Sequence, residues 1–202
     1  MEKGLEKISR ELQESLKKIL RDYAEALFFA VLLALLLRSF VLASYRVTSG
    51  SMAPSLVPGD FILGFKLPYG LNLPFSDERV GESRILLGEL AVFKCKSGSR
   101  VSSCIKRVVG LPGDRIEVKA GQLIRNGDLV RNYGEPDANF ETLIVPPGEA
   151  FLASDHWGGK LDSFTDGTVP FENFEARAEL IWFSKPPGTS GVLWQRLGQR
   201  IR

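Results

Sequence analysis

From Ala26 to Leu37 twelve consecutive residues, ALFFAVLLALLL, are apolar. A run of twelve is short for a membrane crossing, which takes about 20 residues. Extending it over 23–43 gives a segment of the required length, with Glu25 near one end and Arg38 near the other, where both charges can snorkel to an interface. A buried core helix is a poor alternative, because little of the flanking sequence is amphipathic enough to wrap it. A cleavable signal peptide is the stronger rival, since VLA at 41–43 resembles an A-x-A cleavage site. Against it stand the long mixed-charge leader and Arg38 just ahead of that site. The expectation is therefore one uncleaved transmembrane helix over 23–43, behind an N-terminal segment over 1–22. Lys17, Lys18 and Arg21 precede the span and favour a cytoplasmic N-terminus, a contrast that Arg38 and Arg46 weaken. The rest of the chain is then expected on the extracytoplasmic side.

Beyond Ala43 the helical period disappears. Short runs rich in β-formers alternate with turn residues: DFILGFKL, ELAVFKC, VSSCIKRVVG, DRIEVKAG, QLIRNGDLV, ETLIVPPGEAFLAS and FEARAELIWF. KSGS joins ELAVFKC to VSSCIKRVVG as a hairpin, and Asn126-Gly127 marks a second tight turn. This pattern predicts a mostly β domain over 44–185, built of coiled, barrel-like antiparallel sheets. A hairpin register centred between Ser99 and Arg100 sets Cys95 directly opposite Cys104. A cross-strand disulfide and two buried free thiols are both open readings of that pair. The tail over 186–202 contains no acidic residue. If helical from Val192, it gathers Leu193, Trp194, Leu197 and Ile201 opposite Arg196 and Arg200, a face suited to a membrane interface; a frayed, solvated terminus is the other reading.

Composition removes some chemistries. With 26 basic and 24 acidic residues the net charge is only +2, too even to point to nucleic acid as a partner. A single histidine, His156, excludes a multi-histidine metal site, and two cysteines cannot make a four-thiolate one. What stands out is SGSMAPSLVPGD, 49–60, close behind the apolar run. Small, turn-forming residues expose a hydroxyl rather than bury it. Ser51 is eight residues past Ala43, so even an extended chain keeps it within roughly 28 Å of that point. A substrate of Ser51 must come to the membrane surface.

A serine nucleophile needs a base. His156, in ASDHWGGK, has no evident partner to orient it. Lys106 lies within the apolar strand CIKRVVG, and alternation turns it inward with Cys104 and Val108 while Arg107 points out. An inward lysine is seldom retained for packing, and desolvation would make it a base. The other reading of Lys106 is a solvated lysine on an edge strand.

The segments SGSMAPSLVPGDFIL, GELAVFK, IKRVVGLPGDRIEV, GQLIRNGDLV and VPPGEAFLASD, in this order behind one apolar span, resemble the bacterial type I signal peptidases, Ser-Lys serine proteases of the bacterial inner membrane that remove signal peptides from exported preproteins. The resemblance implies Ser51 as nucleophile, Lys106 as general base and later general acid, and the Ser51 N–H with the Ser49 hydroxyl as oxyanion hole. It places Tyr45, Val47, Leu56 and Ile105 along shallow pockets for small residues at P1 and P3, and FKLPYGLNLPF on an apolar surface that meets lipid. Membrane lipid and preprotein signal peptides are the implied partners; no metal or other cofactor is implied. The last family motif departs. Ser154, His156, Trp157, Lys160 and Phe164 stand where Gly, Asn, Arg, Ser and Arg are usual, while Asp155, Asp162 and Ser163 match. The family serine at position 160 helps orient the catalytic lysine. Either Lys160 acts on Lys106 by charge repulsion, or Ser154 or Ser163 takes over its contact. Asp162 is expected to pair with Arg107. Two further readings remain: a specialised relative with one pilin-like client, and a silent membrane-anchored binding module. A self-cleaving Ser-Lys repressor fits poorly with the membrane span.

Overall fold

The computed structural model describes residues 2–72, 79–81, 84–97, 99–135, 139–156, 162–188 and 191–201. The chain divides into two compact units, Met1–Ser39 and Phe40–Arg202.

The first unit is helical. Helix α1 runs Glu2–Phe40, and its segment Gln13–Phe40 is long and apolar enough to cross a membrane. It ends three residues short of the expected boundary. Val41 is a turn, and Ala43 already belongs to strand β1 (Leu42–Arg46), whose backbone bonds to a neighbouring strand. From Glu2 onward the N-terminal segment is continuous with the apolar run in one helix.

The second unit is β-rich, as the alternating runs predict. β2 is Asp60–Phe65, and a short pair follows, β3 (Leu71–Asn72) and β4 (Arg79–Val80). The long hairpin is β5 (Leu90–Ser97) and β6 (Arg100–Gly110). Next come β7 (Arg115–Lys119), β8 (Gln122–Arg125), β9 (Asp128–Asn132), β10 (Phe140–Ile144), β11 (Glu149–Ala153), the one-turn helix α2 (Ser163–Asp166), β12 (Val169–Pro170) and β13 (Phe174–Ser184). The larger sheet has seven strands in the order β1-β2-β13-β5-β6-β11-β12, and the smaller has four in the order β10-β7-β8-β9. All their pairings are antiparallel. Asn126 and Gly127 both take positive φ between β8 and β9, the conformation that a two-residue hairpin turn demands.

β2 alternates buried and half-buried positions along its length, so Ile62 faces a core of Val47, Met52, Leu56, Leu90, Val92 and Ile181. A third cluster joins the sheets: Ile116, Val118 and Leu123 of the smaller meet Val109, Phe151 and Ala153 of the larger, with Phe140 and Phe164 packed edge-to-face on Phe151. Full burial of a side chain such as Phe151 is worth about 1.5–3 kcal/mol.

The hairpin register differs from the expected one. Ser97 pairs with Arg100, so Cys95 lies opposite Ser102 and Cys104 opposite Phe93. The cysteines are diagonal neighbours on one face, at a Cα–Cα distance of 5.8 Å, and are joined as a disulfide. The segment expected to rest on lipid is also split. Leu67 is exposed, but Tyr69 is fully buried and donates its hydroxyl to Glu89 at 2.6 Å, while positions 73–75 lie outside the described residues.

The tail is not a helix. It makes one 3-10 turn, Trp194–Arg196, then returns along β13 through Ile181 N–H to Gln199 C=O and Ile201 N–H to Glu179 C=O. A buried ion pair explains this course. Arg196 donates to both Asp60 oxygens (3.1 and 2.6 Å) and to the Ser55 carbonyl (3.0 Å), while Ser184 also donates to Asp60. Gly59, before that aspartate, has φ +95°, and a Cβ there would sit 2.3 Å from the Lys185 carbonyl oxygen, so only glycine fits. Removing one member of a buried pair leaves an uncompensated charge. Arg196→Ala is expected to cost about 3–5 kcal/mol, read as a lower urea midpoint of the full chain in detergent by tryptophan fluorescence. An unchanged midpoint would contradict this role for the pair.

Candidate active site

Ser51 lies in a 3-10 turn, Gly50–Met52, two residues ahead of the SLVPGD loop. Ser49 caps this turn, its Oγ accepting the Ser51 N–H at 3.2 Å. The two groups of the expected oxyanion hole thus satisfy each other, and a substrate oxygen would have to replace that bond. Apart from its chain neighbours, no heavy atom lies within 4 Å of where a Gly50 Cβ would be, which leaves room for a peptide to approach Ser51 closely.

Lys106 comes from β6, opposite Ala91, and is only 3% exposed. Its Nζ lies 3.0 Å from Ser51 Oγ and 2.7 Å from Ser154 Oγ. Ser154 in turn donates to Asp162 Oδ2 at 2.9 Å, and Asp162 Oδ1 accepts the Phe164 N–H at the start of α2. Burial pushes the Lys106 pKa down, against the opposing pull of Asp162, Asp155 and Asp166. Burial likewise raises the Asp162 carboxyl, only partly countered by Ser154 and Lys106. The downward shift makes Lys106 a readier proton acceptor than a solvated lysine.

The strand alternation places Arg107 on the opposite face from Lys106, yet not in solvent. Its side chain is 12% exposed and forks onto Asp155, Nε to Oδ1 at 2.7 Å and Nη2 to Oδ2 at 2.8 Å. The expected Arg107–Asp162 pair is replaced by this Arg107–Asp155 pair, because Asp162 turns to Ser154 and the α2 cap. Ser55 also donates to Asp155, and Arg131 of β9 reaches it from the smaller sheet. Burial pulls the Asp155 carboxyl upward, but Arg107, Ser55 and Arg131 together hold it below the usual carboxylate range.

Of the two serines offered as substitutes, Ser154 touches Lys106. Ser163 instead accepts the Leu152 N–H at 2.9 Å, holding α2 to β11. Trp157 and Lys160 lie outside the described residues. His156 is exposed, and its backbone N–H donates to the Ser51 carbonyl at 3.1 Å. A cleft of about 330 Å³ adjoins Ser51, lined by Val47, Ser49, Met52, Ser102, Ile105 and Lys106 among others. Val47 and Ile105 therefore face the cleft; Tyr45 and Leu56 pack in the core behind it, with Leu56 fully buried. No cluster of three or more metal-binding side chains occurs among the described residues.

Sequence comparison shows the family. The model of the family described as signal peptidase, peptidase S26, matches residues 20–183. The chain belongs to the signal peptidase family, peptidase S26. It is a serine peptidase. Signal peptidase I of Pseudomonas aeruginosa is 31% identical over 227 residues, covering 90% of this chain and 77% of the relative. That of Pseudomonas fluorescens is 30% identical over 228 residues with the same coverage, and that of Rickettsia conorii 26% identical over 77% of each chain. A solved signal peptidase I from Enterococcus faecalis V583 aligns with 44% of this chain and 93% of its own, at 23% identity and a TM-score of 0.36.

Sequence reasoning left Arg131 and Tyr133 unmentioned, since nothing local to LVRNY signals a contact across more than twenty residues. Two tests follow for this peptidase. Asp162→Asn keeps an acceptor for Ser154 but removes the anion that raises the Lys106 pKa. If Lys106 is the general base, activity appears as pH rises through its pKa, so the acid limb of kcat/KM should move to lower pH. An unmoved or upward-shifted limb would contradict the assignment. Ser154→Ala should lower kcat by roughly 10–100-fold through misplacement of Lys106, with KM little changed; wild-type kcat would remove Ser154 from the site.

Proposed function

We propose that this peptidase is a membrane-anchored endopeptidase that removes signal peptides from exported preproteins by a Ser51–Lys106 dyad. The observation that carries the reading is the 3.0 Å approach of a buried, pKa-lowered Lys106 to Ser51 Oγ. Neutral Lys106 takes the Ser51 proton as Oγ attacks the scissile carbonyl. The Ser51 N–H and the Ser49 hydroxyl, released from each other, donate to the developing oxyanion. Lys106 then gives its proton to the leaving amine, and an ester to Ser51 remains. Water attacks that ester as Lys106 accepts its proton and passes it to the departing Ser51 Oγ, and the signal peptide leaves with its new carboxylate.

The cleft walls favour small side chains at P1 and P3, because Val47, Met52 and Ile105 leave a shallow apolar space beside Ser51. The apolar part of α1, from Tyr23 to Phe40, supplies the anchor, with Lys17, Lys18 and Arg21 before it on the cytoplasmic side and the catalytic unit outside. Exposed Trp182 and Trp194 are of the kind that settle at a lipid interface. The dyad distance speaks against a silent binding module, which has no use for a buried lysine.

The test is cleavage of a preprotein carrying an A-x-A site by the full chain in lipid vesicles, with Ser51→Ala and Lys106→Ala alongside. The wild type should cut after the second alanine, both variants should lose at least 10³-fold in rate, and a P1 phenylalanine should block cleavage. Substantial cleavage by Lys106→Ala would overturn the dyad. An intact preprotein with the wild type would overturn the general signal peptidase reading.

A further inference from the structure

Two side chains of the smaller sheet reach the backbone that holds the dyad. Arg131 lies on β9 and Tyr133 just beyond it, two residues apart and therefore on one side of an extended chain. Arg131 Nη1 donates to the Asp155 carbonyl at 3.0 Å, and its Nη2 lies 2.9 Å from Asp155 Oδ1. The Tyr133 hydroxyl donates to the Ser154 carbonyl at 3.2 Å.

The peptide group between residues 155 and 156 carries two of these contacts. Its carbonyl accepts Arg131, and its N–H, from His156, donates to the Ser51 carbonyl. The preceding peptide, between 154 and 155, accepts Tyr133 and leaves the residue whose hydroxyl meets Lys106. Charge does not require Arg131 here: Arg107 already forms a bidentate pair with the Asp155 carboxylate, whose side chain is fully shielded from solvent. What Arg131 adds is the fixed direction of a peptide plane, because a planar guanidinium can bond a carboxylate and a carbonyl at once.

We infer that Arg131 and Tyr133 are positioning residues for the peptidase reaction, Arg131 setting the nucleophile Ser51 through the 155–156 peptide and Tyr133 setting Lys106 through Ser154. The smaller sheet is thereby part of the catalytic apparatus, acting through Ser154 and the 155–156 peptide. This inference rests on the Ser51–Lys106 reading. It has particular force in this chain because the serine orienting Lys106 is residue 154, at the end of β11, where the backbone leaves the larger sheet and needs support from elsewhere.

The experiment measures kcat, KM and thermal unfolding for the full chain in lipid with an A-x-A preprotein, for Arg131→Met, Tyr133→Phe, Ser154→Ala, Lys106→Ala and the combinations with Ser154→Ala. Arg131→Met should lower kcat by about 10–100-fold and Tyr133→Phe by about 3–10-fold, each with KM within about two-fold. Tyr133→Phe should cost nothing further in the Ser154→Ala background, whereas Arg131→Met should keep its effect there. Tyr133→Phe retains the packed ring, so it reports on positioning even if Arg131→Met folds poorly. Wild-type kcat in both variants, or losses of kcat that only track lost folded protein, would overturn the inference. Additive losses for Tyr133→Phe and Ser154→Ala would overturn its route through Ser154. Lys106→Ala separates the two levels: if it stays active the dyad reading itself falls, and if it is inactive while Arg131→Met and Tyr133→Phe match the wild type, only the positioning role falls.

Discussion

A lysine kept out of water is the constraint around which the catalytic unit is arranged. An ammonium in an apolar interior is costly, and the cost is lowered when the group gives up its proton or finds partners. Lys106 has Ser51 on one side and Ser154 on the other, so its nitrogen is held by hydroxyls rather than by a directly bonded carboxylate. A carboxylate in contact would have stabilised the charged form and left a poor base. Asp162 is one hydroxyl removed, close enough to orient Ser154 and far enough for desolvation to dominate the lysine.

Two buried carboxylates carry the loops around that arrangement, and each is held by arginine forks. Asp60 with Arg196 ties the chain after Ser51 to the C-terminal return, and Asp155 with Arg107 and Arg131 ties β6 and the smaller sheet to the end of β11. Ser55 lies between the two centres. Its carbonyl accepts Arg196, its hydroxyl donates to Asp155, and the same oxygen accepts Arg107 at 3.1 Å. The segment following Ser51 is thus fixed at both edges, which limits the motion of Ser51 on an otherwise short 3-10 turn.

The legibility of the fold followed the range of the interactions that make it. The β runs, the β5–β6 hairpin, the Asn126-Gly127 turn and the apolar helix depend on neighbours within a few residues, and their patterns could be read directly. The helix end at Phe40 could not, because β1 competes for residues 42–46 by pairing with β2, a partner almost twenty residues on. The hairpin register lies two residues from the one that sets Cys95 opposite Cys104: a two-residue shift keeps every side chain on its original face, so alternation does not distinguish the two. The tail pattern suggested a helix, yet Arg196 finds Asp60, and a single buried pair outweighs an amphipathic pattern in a short terminal segment.

The sequence by itself determined the chemistry available to this protein: one histidine with no evident partner, one inward lysine on an apolar strand, serines on an exposed turn and a hydrophobic run ahead of them. These are properties of composition and short-range order. Only the tertiary structure decided which partners those groups would use. It gave Asp155 rather than Asp162 to Arg107, Ser154 rather than Ser163 to Lys106, and it brought Arg131 and Tyr133 to the same loop. The reason is that a buried polar group bonds whatever donor or acceptor the packing of distant strands sets within about 3 Å, and sequence distance places no limit on that choice.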